Sequence, residues 1–150
     1  MKDFFKQLFE YNYYTNQQLA NEFLVHQQEV PQKAVQLYSH ILNAHRNWNR
    51  RVLPNQDRID PWQIHSILDF HRINKVNFEN TTMILNSNSL EEVIEFAFNV
   101  EQTFENTIGN LLFHVINHST YHRAQIATEF RISGITPLST DYSTYSQKPK

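Results

Sequence analysis

Eight histidines occur among 150 residues, and two of them fall where a helical pattern calls for core residues. Between Ile108 and Ile132 the positions Ile108, Leu111, Val115, His118, His122 and Ile126 follow one continuous stripe. His118 and His122 are four apart, so they share a helix face one turn from each other and both imidazoles can reach one ion. His114, a further four residues upstream, is a third candidate. A buried imidazole needs a partner for each ring nitrogen, and two neighbouring imidazoles cannot both stay charged in a dry core. A divalent cation resolves both problems, since imidazole is its commonest nitrogen ligand. One histidine on an apolar face is more often a hydrogen-bonded core residue than a ligand, and an HxxxH pair alone is a weak motif. Two core positions, a histidine on another helix and no cysteine or acidic competitor nearby make a stronger conjunction. The third ligand must come from a facing helix. His40 lies on the Leu37–Ala44 edge of the second helix's stripe, and His45, further round beside Tyr38 and Leu42, is the alternate.

Four helices are expected to position these residues. The first spans about Lys2 to His26, with Phe5, Leu8, Phe9, Tyr13, Leu19, Ala20 and Phe23 at helical spacing. Pro31 is placed to open the second as its first residue, and the stripe Ala34, Leu37, Ile41, Ala44, Trp48 ends near Leu53, where Pro54 stops it. Pro54 to Trp62 reads as a loop. A third helix is expected over about Ile64 to Leu85, with Ile67, Leu68, Phe70, Ile73, Val76, Phe78, Met83 and Ile84 as its apolar positions. Ser87 to Glu105 reads as a connection in which Ser89 caps a short turn and Val93–Phe98 is helical or extended, with room for a short hairpin. Asn106 or Thr107 caps the fourth helix, Ile108 to Ile132, which stops before Gly134. Gly109 falls in its first turn, where a glycine costs little. The tail from Gly134 is expected to form a packed strap and a frayed end.

Composition agrees with a helical fold. Only 2 glycines and 5 prolines are present, where an all-β chain needs many turn glycines. The expectation is all-α: a four-helix bundle in one domain over residues 1–150, with one long crossover connection. The 13 basic and 15 acidic residues give a net charge of −2, and no like-charged block appears in the sequence. A nucleic-acid partner usually demands a basic stripe, so none is expected. No cysteine is present, which excludes disulfides, thiolate nucleophiles and cysteine-based zinc sites and fits a reducing compartment. No apolar run is long enough to cross a bilayer, and the expected setting is cytoplasmic.

The segment HVINHSTYHRAQI, His114 to Ile126, resembles the last helix of the DinB-like family of small helical proteins. LFEYNYYTNQQL near the start, LYSHILNAHRNW in the second helix and GITPLSTDY after the fourth resemble it too, in the expected order. The family shares only a name with the lesion-bypass DNA polymerase. The resemblance implies a divalent metal at the centre of a bundle, held by one histidine of the second helix and two of the last. Carried over by motif, these are His40, His118 and His122; His114 matches a position that is not a usual ligand. The family commonly has histidine at Tyr121 and glycine at Ala124, neither a ligand position. Arg123 and Gln125 are expected to bond to the tail or a neighbouring helix rather than to act in catalysis.

Three neutral imidazoles leave a coordination position for water or substrate, as in a catalytic zinc site. The resemblance implies zinc or nickel and a metal-dependent thiol (S-)transferase that activates a low-molecular-weight thiol. Two other functions fit the same ligands: a metal-dependent hydrolase, for which the sequence offers no obvious base beyond His45, and a non-enzymatic metal- or ligand-binding protein of stress response. The expected partners are a small-molecule substrate or thiol and a second copy of the chain, whose homodimer interface would cover aromatics such as Phe4, Tyr11 and Tyr14.

Overall fold

A computed structural model describes residues 1–99 and 102–147. Helix α1 is Lys2–Val25, α2 Gln32–Val52, α3 Phe70–Ser87 and α4 Ile108–Ile132, and a short α5, Tyr142–Ser146, lies in the tail. Strands β1, Val93–Asn99, and β2, Gln102–Thr107, form an antiparallel hairpin between α3 and α4, pairing Val93 with Thr107 and Phe96 with Phe104. Helix α2 packs against α4 and α3, and α1 against α3 and α4, which closes a four-membered ring. Among the described residues, no helix is long and apolar enough to cross a membrane.

Two apolar clusters fill the bundle. One holds Leu19 and Phe23 of α1, Leu37 and Ile41 of α2, Phe70 of α3, and Ile126 and Phe130 of α4. The other holds Phe5 and Phe9 of α1, Ile84 and Leu85 of α3, and Ile108, Leu112 and Val115 of α4, with Trp48 and Val52 of α2 packed on it. The order in which each helix meets the clusters fixes its direction: α1 and α4 run one way, α2 and α3 the other. Helices α2 and α3 are therefore parallel neighbours, and the chain must travel the length of the bundle between them. Residues 53–66 and a 3₁₀ turn, Ile67–Asp69, make that crossover.

Between the clusters every helix contributes buried polar side chains. They include Asn12 and Asn16 of α1, Asn43, His45 and Asn49 of α2, Asn74, Asn77 and Thr81 of α3, and Ser119, His122 and Arg123 of α4. They bond across the bundle: Asn77 Nδ2 donates to the Leu42 carbonyl at 2.9 Å, Asn49 Nδ2 to the Asn77 carbonyl at 2.9 Å, and Thr81 Oγ1 to Asn49 Oδ1 at 3.0 Å. Low polarity makes such bonds strong and makes an unmatched group costly, so the layer fixes one alignment of the helices.

The third helix differs from its expected pattern. It begins at Phe70 rather than Ile64, because Ser66 accepts from the Leu68 N–H and starts the 3₁₀ turn first. Leu68, Val76 and Met83 face solvent, while Asn74, Asn77 and Thr81 are buried. An apolar periodicity cannot find a face that buries amides. Pro31 is the cap of α2, one residue before its first turn. The connection before α4 is a hairpin, and Gly109 proves to have a packing reason. Its N–H donates to the Leu90 carbonyl at 2.9 Å, and a Cβ there would lie 3.1 Å from that oxygen.

The tail beyond Gly134, whose φ of 78° suits glycine, folds back on the bundle. Ile135 is buried, and Tyr11 Oη donates to the Thr140 carbonyl at 2.6 Å. Tyr142 and Tyr145 pack on Tyr11, and Tyr145 also on Tyr14. Tyr11 is thus covered within its own chain and Tyr14 is partly so, a cover the sequence had assigned to a second copy. The frayed end expected of the tail falls in part on residues 148–150, outside the described residues.

Candidate metal centre

Because α2 packs on α4, the polar layer brings His40 of α2 against His118 and His122 of α4. One ring nitrogen of each lies within 4.8 Å of those of the other two. Among the described residues this is the one such group of three histidine, cysteine or carboxylate donors. The His118 and His122 Nε2 atoms are 3.1 Å apart. His122 is buried, and His40 and His118 are half-buried at the bundle's edge.

Neighbouring groups orient the rings. His40 Nδ1 lies 2.7 Å from the Pro61 carbonyl oxygen, which can only accept, so Nδ1–H is the donor of this contact and Nε2 is the nitrogen left to face the other two rings. His122 Nδ1 lies 2.7 Å from Gln125 Oε1, which fixes that ring in the same way. Trp62 stacks flat on His40, with centroids 3.9 Å apart and planes at 7°. Pro61 and Trp62 belong to the crossover, and α2 holds that loop by its polar face. Asn43 Nδ2 donates to the Gln63 carbonyl at 2.7 Å, Asn47 Nδ2 to the Ile59 carbonyl at 2.8 Å, and Arg50 Nε to the Gln56 carbonyl at 2.8 Å.

The donor set fits a divalent cation. Burial, reinforced by the neighbouring His122, His40 and His114, lowers the His118 pKa to about 3. Burial also lowers that of His122, against the opposing bond from Gln125. Both rings are therefore neutral at physiological pH. His122 Nε2 then presents a lone pair towards His118 Nε2, a contact that a shared proton or a cation must relieve. With metal–nitrogen bonds of about 2.0–2.1 Å, tetrahedral ligands stand about 3.3–3.4 Å apart, close to the spacing of this pair.

The other sequence candidates lie elsewhere. His45 is buried in the polar layer with Nε2 2.8 Å from Thr81 Oγ1, and burial lowers its pKa to about 3. It packs on Phe9 and is a member of the interhelical network, not of the triad. His114 is exposed and meets Trp48 edge-on. Tyr121 is exposed, its ring 5.1 Å from that of His122. Arg123 follows expectation: its buried guanidinium donates to Asn12 Oδ1 at 2.6 Å, Asn16 Oδ1 at 3.0 Å and Tyr11 Oη at 2.9 Å, and through Tyr11 it reaches the tail. Gln125 does not; it bonds to His122 of its own helix and so orients a candidate ligand. Its position three residues after His122 was the available signal.

Two clefts open on the triad. One, of about 220 Å³, is lined by His40, His118, Trp48, Pro61, Arg50, Arg51 and Arg58. The other, of about 390 Å³, is lined by His122, Tyr121, Gln125, Trp62, Lys33 and Glu129. The arginines were not legible as a group, because the crossover must fold back before Arg58 joins Arg50 and Arg51.

Fold and donors together define a helical bundle with a three-histidine cluster, His40 and His118 lining one cleft and His122 another. The chain belongs to the DinB family, whose model matches residues 1–150. It is similar to "Protein DinB" of Bacillus subtilis (strain 168), 25% identical over 166 residues, with 97% of this chain and 95% of that protein covered.

Proposed function

We propose that His40, His118 and His122 ligate one divalent ion, zinc or nickel, and that the centre serves a transferase reaction between a low-molecular-weight thiol and an electrophilic small molecule. The observation that carries this reading is that the three imidazoles border two clefts, His40 and His118 lining one and His122 the other, with Nδ1 of His40 and of His122 each engaged by an oxygen acceptor. A transferase must seat two reactants against one centre, and a three-ligand site leaves room for exchangeable ligands. A divalent ion held there would lower the pKa of a thiol bound to it. The protein's own groups orient the ligands through Pro61 and Gln125, and Trp62 shields one face of His40. A cytoplasmic setting, where low-molecular-weight thiols are kept reduced, belongs to this reading. A homodimer is also proposed, resting now on Phe4 rather than Tyr11, and light scattering of the purified chain tests it.

Elemental analysis is expected to find about one zinc or nickel per chain in the wild type and little in His118→Ala. Stoichiometric metal in that variant would sink the site. Consumption of an activated aryl halide only when a thiol is added supports transfer. Glu129, which lines the wider cleft with His122 about two helical turns away, favours the second reading, a hydrolase using bound water. Ester turnover without thiol, lost in Glu129→Gln, supports that reading instead. Retained metal with neither activity leaves a binding protein.

A further inference from the structure

Three guanidinium groups line one small cleft in a chain whose formal net charge is −2. Like charges brought together cost free energy unless an anion joins them, and among the described residues no carboxylate lines this cleft. Among the described residues neither Arg50 nor Arg58 takes part in an ion pair. Burial, and then the charges of Arg50 and Arg58, lower the pKa of Arg51.

Two of the three are also held in place. Arg50 Nε donates to the Gln56 carbonyl at 2.8 Å, which directs the side chain along the crossover. The Arg51 guanidinium carbon lies 4.7 Å from the Trp48 ring centroid and 4.3 Å from that of Phe96, sandwiched between α2 and the hairpin. A cation flanked by aromatic faces is partly desolvated and fixed, which is how arginine is prepared to receive an oxyanion. Two triad members, His40 and His118, form another wall of the cleft.

We propose that this cleft seats an anionic group of the substrate, a carboxylate or phosphate, on Arg50, Arg51 and Arg58, with the rest of the molecule directed at the triad. At about 220 Å³ the space takes one such group and a few further atoms. The substrate class of the proposed reaction is then a small organic anion carrying its reactive atom close to the charged group. The proposal rests on the preceding reading only in taking the triad as the reacting centre, because anion binding itself needs no metal.

Titration calorimetry tests it on the full chain, both metal-loaded and chelator-stripped, with malonate, inorganic phosphate and neutral malonamide as probes. Malonate or phosphate should bind in both metal states, roughly tenfold or more tighter than malonamide, and weaken with salt. The tighter of the two anions tells a carboxylate seat from a phosphate seat. Arg58→Gln, at an exposed position, should weaken the anion about 5- to 10-fold with metal content unchanged. Arg58→Lys should keep most of the binding, and Lys33→Gln in the other cleft should leave it unaltered. Equal affinity for malonate and malonamide, no loss in Arg58→Gln, or binding by the metal-loaded form alone would each overturn the arginine seat. Chains that hold no metal yet bind malonate through Arg58 would keep the seat and remove the metal reading.

Discussion

Replacing Gln125 by leucine would leave the Nδ1–H of His122 without the acceptor it now has at 2.7 Å. That bond is worth about 0.5–1.5 kcal/mol net, and releasing the ring from one orientation adds roughly 0.5–1 kcal/mol to the cost of binding an ion. The sum, about 1–2.5 kcal/mol, corresponds to a 5- to 70-fold loss of metal affinity, within the range usual for removing a partner of a metal-ligating histidine. Gln125→Glu should act the other way, because a carboxylate accepting from Nδ1–H raises the basicity of Nε2. Competition with a metallochromic chelator at pH 7.5 measures both. Leucine is as good a helix former as glutamine and Gln125 is only half-buried, so the melting temperature of the chelated protein should fall by only the few degrees that one hydrogen bond is worth. Wild-type affinity in Gln125→Leu, or equal loosening by leucine and glutamate, would refute the idea that an acceptor at this position prepares His122 as a ligand.

Two further outcomes concern the polar layer. Arg123→Met removes the donor to Asn12, Asn16 and Tyr11. Three orphaned buried acceptors at about 1 kcal/mol each should cost roughly 3 kcal/mol in urea denaturation, and a loss below about 1 kcal/mol would show that freeing the buried charge offsets them. His45, with its pKa lowered to about 3, stays neutral in the folded chain while the unfolded chain protonates below about 6.5. Its contribution is therefore complete above pH 6.5 and is lost as the pH falls towards 3, by up to about 2 kcal/mol at pH 5. Comparing urea midpoints at pH 7.5 and 5 for wild type and His45→Phe checks this, and an identical pH slope in both would contradict it.

Helices were legible where burial is apolar and continuous. The fourth was read to its ends because Thr107, the stripe from Ile108 to Ile126 and Gly134 all give the same boundaries, and Thr107 Oγ1 does accept from the Asn110 N–H at 3.2 Å. The third was misread at its start and on its buried face, since Asn74, Asn77 and Thr81 look like solvent residues until other helices supply their partners. His118 and His122 were legible because four residues of helix put them on one face. His40 could be preferred to His45 only by resemblance to a family, for both lie near the apolar edge of one helix.

The sequence by itself determined that the chain is helical, where its last helix begins and ends, and that two histidines share one turn of it. These follow from contacts between residues a few positions apart, which any helix makes. Only the tertiary structure decided that His40 faces the pair while His45 is spent on Thr81, that Pro61, Trp62 and Gln125 orient the rings, and that Arg58 joins Arg50 and Arg51. Each depends on the crossover folding back along α2 and on a polar layer aligning four helices, arrangements set by partners far apart in the chain and invisible to local spacing.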